Sequence, residues 1–233
     1  QYNLDKSIPE QFLIYLQNAV TGDFGDSMTR KGTAVTTIIA RCLPATMKLG
    51  LVAFIIAITV GVTLGIVAAF TKRKWVENLV MFVATIGISV PSFLYAMLLM
   101  IVFGVILGWL PIIGLKTPLH YIMPAFSLAL YPISMITRLV RSSMKEVMKQ
   151  DYIVLARSKG TPMIKVILGH ALKNCLIPVV TYAGPLLAFL ITGSFVIESL
   201  FSIPGIGYIS YQSMVAGDIP FTMFYLSFMA VLT

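Results

Sequence analysis

The chain has 233 residues, of which 58% are hydrophobic and only 11% charged, with a mean hydropathy of +0.92. Soluble chains carry roughly 25% charged residues, so a soluble domain is excluded and an all-α, polytopic membrane helix bundle is predicted. The net charge of +8 does not signal nucleic acid, because the basic residues cluster beside apolar segments and no aromatic or Gly-rich binding pattern accompanies them.

Residues 1–42 are a polar leading segment without a secretory signal. Residues 43–233 hold the membrane domain, with apolar runs at 43–70, 76–108, 121–139, 176–197 and 221–233. A helix of about 20 residues crosses the hydrocarbon core, so the first four runs qualify as spans. The last run is short and stops mid-pattern, and the charge pattern places the leading segment outside. The first and last membrane helices are therefore expected to be incomplete or missing.

Basic residues orient the spans. Lys72, Arg73 and Lys74 separate the first two runs, and the stretch from Arg138 to Lys173 carries eight Lys or Arg against Glu146 and Asp151. Both loops are predicted to be cytoplasmic. Residues 108–120 hold only Lys116, residues 198–220 hold no Lys or Arg, and both are predicted external. The leading segment balances Asp5, Glu10, Asp23 and Asp26 against five basic residues up to Lys48, and follows them outside. Trp109 and Tyr121 near span ends suit the interfacial aromatic belt. Cys42 and Cys175 then lie roughly 30 Å apart across the core, too far to pair.

Within the spans, Gly87, Pro91, Pro124, Pro132, Gly184, Pro185 and Gly193 interrupt the helical pattern. Such residues serve close packing and kinks, or free backbone carbonyls that a translocated solute can use. Pro91, Gly184 and Gly193 are candidates for pathway or gating roles, as is Glu198 at the end of the fourth span. For Glu198, hydrogen bonding to the Gly205–Gly207 turn is weighed against contact with solute or a binding protein.

The cytoplasmic stretch 151–178 is the most informative. Asp151 suits an N-cap, Arg157 and Lys159 suit the last turn of a helix, and Gly160 suits the left-handed position after it. Thr161 can cap a second helix with Pro162 in its first turn. On that helix Lys165, Gly169 and Lys173 share one face, while Ile164, Ile167, Leu168, Ala171 and Leu172 share the other.

Ala156, Arg157 and Gly160, followed by this amphipathic helix and Leu176-Ile177-Pro178, resemble the EAA loop of permease subunits of ABC importers. Three more stretches are similar to the oligopeptide, dipeptide and nickel branch of that family. They are Gly22-Asp23-Phe24-Gly25-Asp26-Ser27, the run Arg138 to Ser143, and Gly193 to Glu198 with Phe201 and Pro204 to Gly207. Val154 and Leu155 depart from the wider family's Glu and first Ala, and Lys173 stands where a Pro commonly ends the motif. The resemblance implies a type I importer-like permease fold. It also implies that loop 141–175 couples to an ATPase through Asp151, Tyr152, Ala156, Arg157, Lys159, Gly160 and His170.

No catalytic or metal constellation is found. His120 and His170 fall on opposite sides of the membrane, and no GxxxxGK[ST] phosphate loop exists for ATP. The chain is therefore expected to be a transport subunit without enzymatic activity, cofactor or metal. Beyond the lipid bilayer, the resemblance implies as partners a second permease subunit, usually a paralogue, two ATP-binding cassette ATPases and an extracytoplasmic solute-binding protein. It implies a bacterial or archaeal cytoplasmic membrane and peptides as cargo, with nickel or metal chelates as the alternative. A stand-alone secondary carrier is disfavoured because the four complete spans offer no interior ion-binding carboxylate.

Overall fold

The structure, a computed structural model, describes residues 6–232. It is a bundle of helices, and among the described residues strand-like pairing is limited to an isolated antiparallel bridge between Asp26 and Ala34. Two helices, or up to four spans if each of two bent helix pairs counts as one, are long and apolar enough to cross a membrane.

The polar leading segment contains a helix that hydropathy did not single out. α1 (Ile8–Val20) starts at Ser7, whose side chain and that of Glu10 form a reciprocal capping box, with Pro9 in the first turn. It buries no residue, exposes Phe12, Leu13 and Leu16, and touches the bundle through Tyr15 Oη, 3.0 Å from Ser227 Oγ.

α2 (Val35–Phe70) begins eight residues before the apolar run used to place the first span. Val35, Ile38 and Cys42 supply the reason: at helical spacing they pack beside Ile206, Phe221 and Phe224 in a second, smaller core. Farther along, α2 crosses α5 (Ile122–Val147) closely. A Cβ added at Gly61 would lie 2.8 Å from Ile136 Cβ, and one at Gly65 would lie 2.5 Å from Val140 Cβ. This small-xxx-small pair brings the two backbones together, as membrane helices require when burial of apolar surface no longer drives association.

The 76–108 run is not one straight span. α3 (Lys74–Ser89) and α4 (Ser92–Leu99), the latter extended by a π-helical stretch at Met100–Ile106, meet at 105°. Pro91 cannot donate to the preceding turn and forces Val90 into an extended conformation with ψ 129°, so the helix ends there. By contrast α5 runs through Pro132 unbroken and extends to Val147, carrying Arg138, Arg141 and Lys145 inside a helix rather than in the loop that charge alone assigned to them.

After α5 come α6 (Asp151–Ser158), α7 (Met163–Val166), a π-helical turn at Ile167–Ala171 and α8 (Leu172–Cys175). α9 (Ile177–Thr192) bends by 50° from the segment before it and stops at Gly193, whose φ of +84° only glycine takes without strain. α10 (Phe195–Leu200), α11 (Ile206–Val215) and α12 (Ile219–Leu232) close the chain. The main core lies where α2, α5 and α9 meet, around Leu49, Ala53, Ile136, Val140, Leu186 and Leu190.

Candidate functional site: a helical corner and two buried carboxylates

The corner between α6 and α7 forms where the Gly and Pro punctuation places it, with its register moved by one residue. Gln150, not Asp151, is the N-cap; Asp151 is the first helical residue, where its charge suits the positive helix end. Gly160 has φ +76° and donates to Arg157 O at 2.9 Å, while Thr161 N–H donates to Ala156 O at 3.3 Å, satisfying carbonyls of the last turn. Pro162, not Thr161, caps the second helix, and its carbonyl accepts from Lys165 and Val166 N–H.

The apolar face of that second helix also differs from the expected one. Val166, Ala171 and Cys175 are fully buried, whereas Ile164 and Leu168 are 62% and 61% exposed. The π-helical turn at 167–171 is the cause. It inserts one residue into the repeat, so positions 166 and 171 face the core in place of a strict 3.6-residue pattern. The outcome is an outward surface in which Leu155, Ile164 and Leu168 stand among Arg157, Lys159, Lys165 and Lys173. Tyr152 Oη accepts from Asn174 Nδ2 at 2.6 Å, tying α6 to α8, and Ile153 anchors α6 from its buried side. His170 is exposed in the π turn.

Glu198 does not reach water at all: it is fully buried. Its Oε1 accepts from Thr46 Oγ1 at 2.8 Å, its Oε2 accepts from Tyr208 N–H at 2.8 Å, and Gly207 N–H also donates to it. Thr46 Oγ1 in turn accepts from Ile206 N–H at 2.8 Å. Between them Thr46 and Glu198 take up the three N–H groups that open α11, where the helix has no internal acceptor for them. Gly193 packs against this knot, a Cβ there falling 2.9 Å from Glu198 Oε1, and a Cβ on Gly207 would lie 3.1 Å from Oε2. Thus the Gly193 to Gly207 motif is a wrapping for one carboxylate.

A second buried carboxylate escaped the sequence reading. Asp218, 1% exposed, accepts from the Ser27 and Thr29 hydroxyls and from Met28 N–H at 3.1 Å, joining the Gly22–Ser27 motif to the turn before α12. The Asp preceding Ile219-Pro220 is an N-cap signal visible in the sequence, but its distant partners are not. Burial pushes the Asp218 carboxyl up, yet the Ser27 and Thr29 hydroxyls and the Met28 and Phe221 N–H groups outweigh burial and hold it below its usual value. A depressed folded-state value means stability that is present above the unfolded value of about 3.9 and lost as pH falls through the folded value. Thermal melts are therefore expected to fall steeply below about pH 4, and Asp218→Asn should lower the melting point at neutral pH while flattening that acid limb. An unchanged acid limb in the variant would assign the pH dependence to other groups.

The structure does not bring the pathway candidates together. Pro91 is exposed at the α3–α4 bend, Gly184 is exposed on α9, and Gly193 sits in the Glu198 knot. Among the described residues, no group of His, Cys, Asp and Glu is placed to hold a metal.

Comparison with known proteins adds an independent line. Residues 61–233 match the family described as "Binding-protein-dependent transport system inner membrane component". The chain is 40% identical over 222 residues to the dipeptide transport system permease protein DppB of Bacillus subtilis, covering 95% of this chain and 72% of that protein. It is 40% identical over 209 residues to the oligopeptide transport system permease protein OppB of Haemophilus influenzae, covering 89% and 68% respectively. In fold it is similar to a chain of the inward-facing MetNI methionine ABC transporter, with a TM-score of 0.67 at 17% identity over 84% of this chain and 91% of that one.

Proposed function

The chain belongs to the family of binding-protein-dependent transport system inner membrane components, and from that premise we propose that it is the permease subunit of an ATP-driven peptide importer and supplies half of the translocation pathway. The observation that carries this reading is the corner at Gly160. It holds Leu155, Ile164 and Leu168 out into solvent beside four cations, a surface with no internal packing role and the form of a docking site. An ATPase subunit seated there would transmit closure on ATP as a rigid-body movement of α6 to α8, which Ile153, Val166, Ala171 and Cys175 root in the core. Peptides are the cargo suggested by the dipeptide and oligopeptide permeases to which the chain is similar. The remaining partners are a second permease subunit and an extracytoplasmic solute-binding protein. In this reading Lys72–Lys74 and the corner face the cytoplasm of a bacterial or archaeal cell.

The test is reconstitution of the full-length protein in liposomes, alone and with its permease, ATPase and binding-protein partners. Peptide uptake is expected only with every partner and ATP present. Uptake by the lone subunit under a proton or sodium gradient would overturn the reading in favour of a carrier, and uptake of a nickel chelate but no peptide would overturn the cargo.

A further inference from the structure

One side of α5 packs on α2 through Ile136 and Val140. The other side is open, and it is polar. Tyr131, 47% exposed, and Arg138 lie seven residues apart and so share a helix face, with Ser142 exposed one turn farther on. α3 forms one wall, since Arg138 Nη2 donates to Thr85 Oγ1 at 2.7 Å. α9, which also packs on α5, forms the other. A polar face of this kind does not lie against hydrocarbon; in membrane proteins it fronts a partner subunit or water.

Arg138 stands out within this trough. Thr85 is about three turns along α3 from Lys74, roughly 16 Å of axis and half the thickness of a bilayer core, so the guanidinium is held deep. Its neighbours Arg141 and Lys145 both bond to Glu77. Among the described residues Arg138 has no carboxylate within ion-pair reach, and its Nε is buried with no hydrogen-bond partner. The buried Nε takes no part in binding, but the Nη1 and Nη2 edge, held by the one hydroxyl of Thr85, has the planar form that receives a carboxylate by two parallel hydrogen bonds.

We propose that Arg138 is a carboxylate-binding site in the translocation path, contacting the free C-terminal carboxylate of a peptide as it crosses the trough between α3, α5 and α9. The proposal rests on the peptide-importer reading. Attachment through Thr85 alone leaves the rest of the Nη1 and Nη2 edge for the passing group, and the water-facing trough keeps the contact weak enough for release. The same chemistry offered by a carboxylate of the second permease subunit would instead make Arg138 an assembly contact.

The experiment uses the full complex in proteoliposomes, with trialanine and trialanine amide each supplied pre-bound to excess binding protein. Loss of one charge-assisted contact predicts that Arg138→Gln lowers ATP-driven trialanine uptake by about tenfold and leaves the amide within about twofold of wild type. Arg138→Lys, which retains the cation, should keep most trialanine uptake. Equal loss of both peptides, or recovery of less assembled complex, would overturn the proposal in favour of the subunit contact or a structural role. Equal retention of both would overturn it outright. Failure of the wild-type complex to take up either peptide would overturn the peptide reading and the proposal with it, and that arm is read without any variant.

Discussion

Glu198→Ala is expected to destabilise the full-length protein by about 3–5 kcal/mol, because Thr46, Gly207 and Tyr208 would each be left with an unsatisfied buried donor and each such group costs roughly 1–3 kcal/mol. The loss also reaches beyond one side chain. Thr46 belongs to α2, Glu198 to α10 and Tyr208 to α11, so the carboxylate fixes how three helices meet and closes the N-terminus of the third. Glu198→Gln separates volume from charge. It fills the same space but presents an amide NH2 in place of one oxygen that accepts N–H groups, so it should recover only part of the loss. Denaturation midpoints of the two variants and the wild type, in one detergent and lipid, check this directly. An alanine variant that melts with the wild type would mean that the contacts of Glu198 are incidental to the meeting of these helices.

The parts of this architecture that could be read from the sequence are those with local causes. Gly160 and Pro162 announce a helix corner within three residues, and the structure shifts the caps by one position without moving the corner. Ser7, Pro9 and Glu10 likewise spell the start of α1, a signal outweighed by the polar character of its surroundings. Hydropathy found the apolar runs but carries no direction, so the 105° turn at Pro91 was invisible to it. The grouping of Ile164 and Leu168 on one face with Ala171 fails for a different reason: a helical-wheel argument assumes a constant 100° per residue, and the π turn breaks that rule. The two carboxylate knots lie beyond any local pattern. Glu198 meets Thr46 across 152 residues, and Asp218 meets Ser27 across 191. Thr46 sits in an apolar run where a single hydroxyl carries no signal of its own.

Gly160→Val is expected to uncouple ATP hydrolysis from transport, lowering uptake per ATP by at least about tenfold while the ATPase subunits continue to turn over. The backbone at Gly160 has φ +76°, and no atom lies within 4 Å of where a Cβ would sit. Crowding by neighbours is therefore absent, and the strain is confined to the left-handed conformation, roughly 1–2 kcal/mol for a residue with a side chain and more for a β-branched one. The chain can relieve that strain by abandoning the cap made by Gly160 and Thr161 N–H, which frays the end of α6 and changes its angle to α7. Leu155 on α6 and Ile164 on α7 would then no longer be presented together. Gly160→Asn tests the cause, because asparagine tolerates the left-handed region while adding a side chain of comparable bulk. It should retain most coupling. Paired measurements of ATP hydrolysis and peptide uptake in proteoliposomes decide the matter: wild-type coupling in the valine variant at normal assembly, or equal loss in valine and asparagine variants, would remove the conformation of Gly160 as the basis of the corner's function.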